Sequence, residues 1–259
     1  MSATGSSEQI DRSGLRVIQR GAVGDGPARR LICVHGAMDR ATSFTRLMGR
    51  MRDWSIVAYD RRGYGGSAHL GPPVSFDQQV DDMVAVLDGE PAVAFGHSLG
   101  GDVVLATAER HPGLIPTALV WEPPQPWLPW WPAESGASTA GADLEPEDRA
   151  EWFMRRMVGD RVWERLPEST RRRRRAEGWA LAADLALLGR AVFDPARISI
   201  PVLVGRGGTS RPHQRRAARE LAATLPNGRL VEIPGCGHGA HLSHPGELAE
   251  LLSQIAERA

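Results

Sequence analysis

The stretch "AVAFGHSLGG", residues 92–101, decides the fold. A short apolar run from Ala92 to Phe95 leads into Gly96-His97-Ser98-Leu99-Gly100, and the "DVVLATAER" that follows has helical apolar spacing. A serine at the joint between a strand and a helix, with a glycine two residues away on either side, sits on a strained turn that holds its hydroxyl above the sheet edge. The first amides of the helix have no partner within it, so they and the helix dipole face any oxyanion that forms at the serine. Ser98 is therefore the candidate nucleophile, and Leu99 the candidate donor of one oxyanion amide. Without its strand and helix the five-residue pattern arises by chance; with both it is a strong signal.

Outward from this joint, short β-branched runs alternate with amphipathic stretches. Strands are expected over 15–19, 30–34, 55–59, 92–95, 117–121, 202–204 and 230–233, and helices over 43–52, 76–87, 99–110, 211–225 and 245–258. That alternation predicts an α/β fold with a mostly parallel twisted sheet flanked by helices. The interval 123–195 interrupts it. It opens with "PPQPWLPWWPAESGASTAGADLEPED", turns helical around 149–158 and 161–188, and with Trp121 carries seven of the eight tryptophans. Residues 1–122 and 196–259 are expected to form the core and 123–195 an inserted, mainly helical layer. The run "RRRRR" at 171–175 reads first as a solvated helix face, because consecutive residues point all round a helix.

Composition limits the chemistry. The 259 residues are 42% hydrophobic, with 31 basic and 31 acidic side chains and a formal net charge of zero. No long-range field recruits nucleic acid or an anionic membrane. No lysine is present, which excludes lysine Schiff-base and pyridoxal-phosphate chemistry. Cys33 and Cys236 lack metal-ligand spacing and read as buried free thiols; no metal cluster and no cofactor are expected. The first residues carry no apolar targeting core and no run of 18 apolar residues occurs, so a cytoplasmic protein is expected. Abundant Arg, Ala and Gly without lysine point to a GC-rich bacterial genome.

The chain resembles the α/β-hydrolase superfamily over nearly its whole length. "LICVHGAM" is similar to the strand and His-Gly turn whose next residues supply the second oxyanion amide, here Ala37 or Met38. "VAYDRRGYGGS" resembles a structural turn of the family. "IPGCGHGAHLSHP" resembles the loop that delivers the catalytic histidine, at His238. A histidine on a loop after the last strand suits a general base near neutral pH. His241 and His244 read as packing or capping residues, His35 as a turn residue, and His97 as pocket lining.

The family's usual acid is absent. The segment after the insertion reads "PVLVGRGGTSRP", with Gly208 where an aspartate is customary, and no carboxylate lies between Pro195 and Glu220. An imidazole without a carboxylate behind it loses its working tautomer and the support of its cation. Either the triad is broken or the acid comes from elsewhere. In "ALVWEPP", residues 118–124, the strand after the nucleophile helix ends in Glu122, on the sheet edge where Ser98 stands and where ligands collect in open α/β folds. Some branches of the superfamily, zearalenone-type lactonases among them, place a triad glutamate there. The rival reading is a surface glutamate at a strand exit. Asp102, Asp194 and Glu232 fit less well, lying in a helix, a turn and a strand interior.

Ser98, Glu122 and His238 thus form the expected triad. The resemblance implies hydrolysis of a small ester, thioester or lactone without a cofactor, and makes the insertion a cap over the site. Trp121, Trp127 and Trp179 are the candidate pocket tryptophans, for an apolar or aromatic substrate. A carbon–carbon bond hydrolase and a non-catalytic binding protein of the same fold remain alternatives, and the sequence leaves a homodimer open.

Overall fold

In a computed structural model, residues 7–11, 13–23, 29–135 and 141–258 are described. The apolar runs form one sheet of eight strands: β1 (Ser7–Ile10), β2 (Arg16–Arg20), β3 (Arg29–Val34), β4 (Trp54–Tyr59), β5 (Val93–His97), β6 (Ala118–Trp121), β7 (Val202–Gly207) and β8 (Gly228–Ile233). Their order is β1-β2-β4-β3-β5-β6-β7-β8; β1 pairs antiparallel with β2 and β2 with β4, and every other pairing is parallel. This is the α/β-hydrolase fold that the resemblance implied.

The connecting helices are α1 (Thr45–Arg50), α2 (Phe76–Leu87), α3 (Leu99–Arg110), α4 (Pro146–Val158), α5 (Asp160–Arg165), α6 (Glu168–Ala176), α7 (Gly178–Leu187), α8 (Pro212–Thr224), α9 (Ala240–Ser243) and α10 (Pro245–Ala256). Successive strand side chains point to opposite faces. Ile32, Val34 and Ala94 accordingly join the core under α2, α3 and α8, whereas Leu31, Cys33 and Phe95 join the one under α1 and α10. Both cysteines are buried free thiols. Among the described residues, no helix is long and apolar enough to cross a membrane.

Besides the one-turn helix α9, the structure departs from the sequence expectations in two elements. β1 went unread because three of its four residues are polar and all four are exposed, so this edge strand carries no apolar alternation. The helix expected over 161–188 is three helices. Pro167 disfavours helical geometry at Leu166, which is extended, and the chain turns again at the Glu177-Gly178 joint. At Gly178 any Cβ would lie 1.9 Å from the Pro146 carbonyl oxygen, so only glycine lets α7 cross the start of α4.

Helices α4, α5 and α7, between β6 and β7, build a third apolar cluster with Met38 and Tyr64 from the loops after β3 and β4. A buried polar knot fixes this layer to the core. The Arg61 guanidinium donates to both Asp184 carboxylate oxygens at 3.1 and 2.7 Å, and Tyr64 Oη donates to Asp184 at 2.7 Å. In the same "DRRGYGG" turn, Asp60 accepts from the amides of Ala41 and Gly66, both at 2.7 Å. The five arginines of α6 are largely paired: Arg171 with Glu164 and Glu168, Arg174 with Glu177, and Arg175 with Asp148 and Glu151. This is the solvated-face reading rather than an open anion site.

Candidate active site

The backbone leaves ordinary geometry where the sequence puts chemistry. Ser98 has φ 53° and ψ −131°, and Glu122 and Met38 also have positive φ, at 48° and 56°. Such angles are costly for non-glycine residues and persist only where surrounding structure holds them. At Ser98 the constraint is crowding. A Cβ at Gly100 would lie 2.2 Å from the Val34 carbonyl oxygen, so the first turn of α3 must be bare to pack against the end of β3. The Ser98 amide donates to the Trp121 carbonyl at 2.8 Å, and the Glu122 amide to the Gly205 carbonyl at 3.1 Å. These bonds extend the parallel ladder and fix Ser98 and Glu122 side by side at the carboxyl edge.

Glu122 is buried, only 2% exposed, which removes the surface-residue reading. One carboxylate oxygen accepts from the Gly207 amide at 2.7 Å; the other lies 2.8 Å from His238 Nδ1. The last residue of β7, just before the turn that lacks its expected acid, thus supplies an amide donor to a carboxylate at the end of β6. His238 sits on the loop after β8, and its carbonyl accepts from His97 Nε2 at 2.9 Å.

Ser98, Leu99, Ala37, Glu122, His97 and His238 all line one cavity of about 270 Å³. Of the two candidate oxyanion residues, Ala37 lines this cavity and Met38 does not. Burial, with His241 and His238 nearby, holds His97 well below the ordinary histidine range, so its imidazole is neutral. His35 is held at about 4 by burial and by the neighbouring Arg61.

The pocket tryptophans differ from expectation. Trp121 is fully buried on the far face of the sheet, against Gly205, because alternation along β6 turns it away from the carboxyl-edge cleft. Trp127 stands edge-on to Phe193 in a separate cavity. Trp179 is 62% exposed on the outer side of α7. The tryptophan that lines the Ser98 cavity is Trp131, packed edge-on against His213. Its signal was the "PWWP" cluster, but which ring of that cluster turns inward depends on the loop path. Asp102, which the sequence argument set aside, is buried in α3 and does not line the cavity.

Gln214 was missed altogether. Its Oε1 accepts from the Arg211 amide at 3.1 Å at the start of α8, which leaves Nε2 3.0 Å from His238 Nδ1. Glu122 and Gln214 therefore compete for one nitrogen. A proton on Nδ1 favours the carboxylate, since charge-assisted hydrogen bonds are the stronger ones. No local pattern in the sequence records the proximity of Gln214 to His238, 24 positions away.

The "Alpha/beta hydrolase family" pattern matches residues 31–251. The chain belongs to the alpha/beta hydrolase family. Among members of this family, it is 32% identical over 215 residues to the pimeloyl-[acyl-carrier protein] methyl ester esterase of Aromatoleum aromaticum, covering 74% of this chain and 84% of that one. It is 26% identical over 238 residues to the 2-succinyl-6-hydroxy-2,4-cyclohexadiene-1-carboxylate synthase of Pectobacterium atrosepticum, covering 85% and 90%. An alpha/beta hydrolase of Sphaerobacter thermophilus superposes with a TM-score of 0.68 at 26% identity, over 96% of this chain and 99% of that one.

Proposed function

We propose that this alpha/beta hydrolase is a serine hydrolase that cleaves a carboxylic ester or lactone through an acyl-enzyme on Ser98. The observation that carries the reading is convergence. A nucleophile elbow with positive φ and a histidine backed at 2.8 Å by a buried glutamate meet in one cavity. An esterase among the relatives supports ester hydrolysis.

In the first half-reaction His238 Nε2 takes the Ser98 proton as Oγ attacks the acyl carbonyl carbon. The amides of Leu99 and Ala37 bind the tetrahedral oxyanion. Collapse expels the alcohol oxygen, which receives the proton from His238 and leaves the acyl group on Ser98. Water then gives its proton to His238, attacks the acyl carbon and releases the acid; the proton returns to Ser98. Glu122 holds Nδ1–H towards itself throughout and stabilises the imidazolium. A triad glutamate at this strand end is the arrangement of the branch that includes zearalenone-type lactonases.

We read residues 123–195 as the cap of this site. Trp131, Phe153, Met157, Leu185 and Leu188 supply its apolar wall, and about 270 Å³ admits a small apolar or aromatic group. Fluorophosphonate labelling tests the reading without a known substrate. Rapid labelling that Ser98→Ala abolishes is expected, followed by turnover within a panel of small esters and lactones. Folded protein that does not label would overturn it, and turnover of a vinylogous diketone alone would move the assignment to carbon–carbon bond hydrolysis.

A further inference from the structure

Behind the triad lies a second group of side chains for which the proposed reaction has no use. Asp39, from the loop after β3, His97, next to the nucleophile, and His241, in α9, each offer one ligand atom, and these three atoms lie within 4.8 Å of one another. His97 and His241 are both more than nine-tenths buried. Their rings lie 4.2 Å apart between centroids, and Phe44 packs against His241 on another side.

The hydrogen bonding leaves the group unsatisfied. A carbonyl can only accept, so the 2.9 Å contact between His97 Nε2 and the His238 carbonyl puts the His97 proton on Nε2. Nδ1 is then a bare lone pair, and it has no hydrogen-bond partner among the described residues. Both His241 nitrogens likewise lack an aligned partner. His241 Nε2 stands 3.2 Å from an Asp39 carboxylate oxygen, close enough for ionic attraction but outside hydrogen-bond alignment. Buried nitrogen atoms without partners are costly, and natural cores seldom keep them without a function. A histidine that donates one ring N–H to a backbone carbonyl while the other nitrogen stays free is how metal ligands are oriented.

We propose that Asp39, His97 and His241 bind a first-row divalent cation, with zinc the best fit, and that the bound ion inhibits the hydrolytic site. Two imidazoles and one carboxylate match zinc's ligand preferences and leave its fourth position for water; calcium and magnesium would require more oxygen donors. Zinc bonds of about 2.0–2.2 Å set neighbouring ligand atoms about 3.3 Å apart, close to the 3.2 Å between Asp39 and His241. The three ligand atoms lie within 4.8 Å of one another, so binding draws them together. His97 also lines the cavity of the proposed triad.

Inhibition follows from charge, and this part rests on the serine-hydrolase reading. His97 packs on His238, with ring centroids 4.7 Å apart. A dication at the His97 nitrogen opposes the imidazolium that His238 must become during the reaction.

The test uses chelator-treated protein, Zn²⁺ for stoichiometry and affinity, and Co²⁺ for the visible absorption of a nitrogen-coordinated ion. Wild type and a His244→Gln control are expected to bind one Zn²⁺. Asp39→Asn and His241→Gln should lose about 10–100-fold or more in affinity, together with the Co²⁺ spectrum. Either variant suffices if the other fails to fold. Saturating Zn²⁺ should slow fluorophosphonate labelling at least tenfold in wild type and leave it within twofold in the variants, each compared with its own metal-free rate. No binding by wild type, or affinity unchanged in both variants, would overturn the site. Binding that leaves labelling unaltered would overturn the inhibitory role. The binding measurement needs no turnover: intact labelling without zinc binding rejects this inference alone, whereas zinc binding by a protein that never labels rejects the hydrolase reading instead.

Discussion

Replacing Glu122 with glutamine tests the feature in which this chain departs most from the common pattern. The change is isosteric, so the bond from the Gly207 amide at 2.7 Å survives with the amide oxygen as acceptor. The other end of the amide then turns N–H groups towards His238 Nδ1, which can meet them only by giving up its own proton. The proton moves to Nε2, and the ring can no longer act as base towards Ser98. In addition, attraction between carboxylate and imidazolium at 2.8 Å is lost, about 6 kcal/mol at an effective dielectric of 20. Part of this is offset by new hydrogen bonding, so kcat/KM or the labelling rate should fall about 10³–10⁴-fold, with the larger figure matching an amide exchange in a related triad. Gln214 cannot compensate, because it also presents an N–H group to the same nitrogen. Glu122→Gln combined with Gln214→Glu moves the carboxylate to the other neighbour of Nδ1, 3.0 Å away, and should recover about 10-fold or more of the loss. The assay is the pseudo-first-order rate of fluorophosphonate labelling, with circular dichroism to show that each variant is folded. A Glu122→Gln rate within tenfold of wild type would refute the assignment of the acid.

Further expectations can be measured separately. Gly208→Asp should label within about threefold of wild type, since its Cβ would point towards Pro234 and Glu232 and the acid role is already filled; a gain or loss of tenfold would contradict that. Trp131→Ala should raise KM for aromatic esters while labelling by a small fluorophosphonate changes little, and Trp179→Ala should change neither, because only Trp131 lines the cavity. Asp184→Ala should cost about 3–5 kcal/mol in urea unfolding, because it strands the buried Arg61 guanidinium without its carboxylate. His35 is held at about 4 in the fold against about 6.5 unfolded, so the unfolded chain binds the extra proton between these values. Stability should therefore be intact above pH 6.5 and fall by up to about 3 kcal/mol as pH drops to 4. Protonation is opposed because His35 Nε2 already accepts the Arg61 amide at 2.8 Å. Urea midpoints at pH 7 and 5 check the direction, and equal or higher stability at pH 5 would contradict it.

Local spacing determined much of this protein. Strand-turn-helix context around Ser98 specified the nucleophile elbow, since a tight turn between a strand and a helix needs small neighbours at fixed offsets. Alternating apolar runs specified a mostly parallel sheet, and the missing carboxylate near Gly208 left Glu122 as the candidate acid. Strand order places that residue: β6 lies between β5 and β7, so its carboxyl end faces both Ser98 and the Gly207 amide.

Tertiary structure decided what depends on side-chain direction and on contacts between distant segments. Trp121 and Glu122 are adjacent in the chain, yet the first is buried beneath the sheet and the second meets His238, because the strand pleat and a positive φ at Glu122 send them apart. Choosing Trp131 over Trp127 and Trp179 required the path of an irregular loop, for which no periodicity exists to read. The contacts of Gln214 with His238 and of Asp39 with His241 join residues 24 and 202 positions apart. Separations of that length are set by the sheet and its loops together, and no local pattern of residues records them.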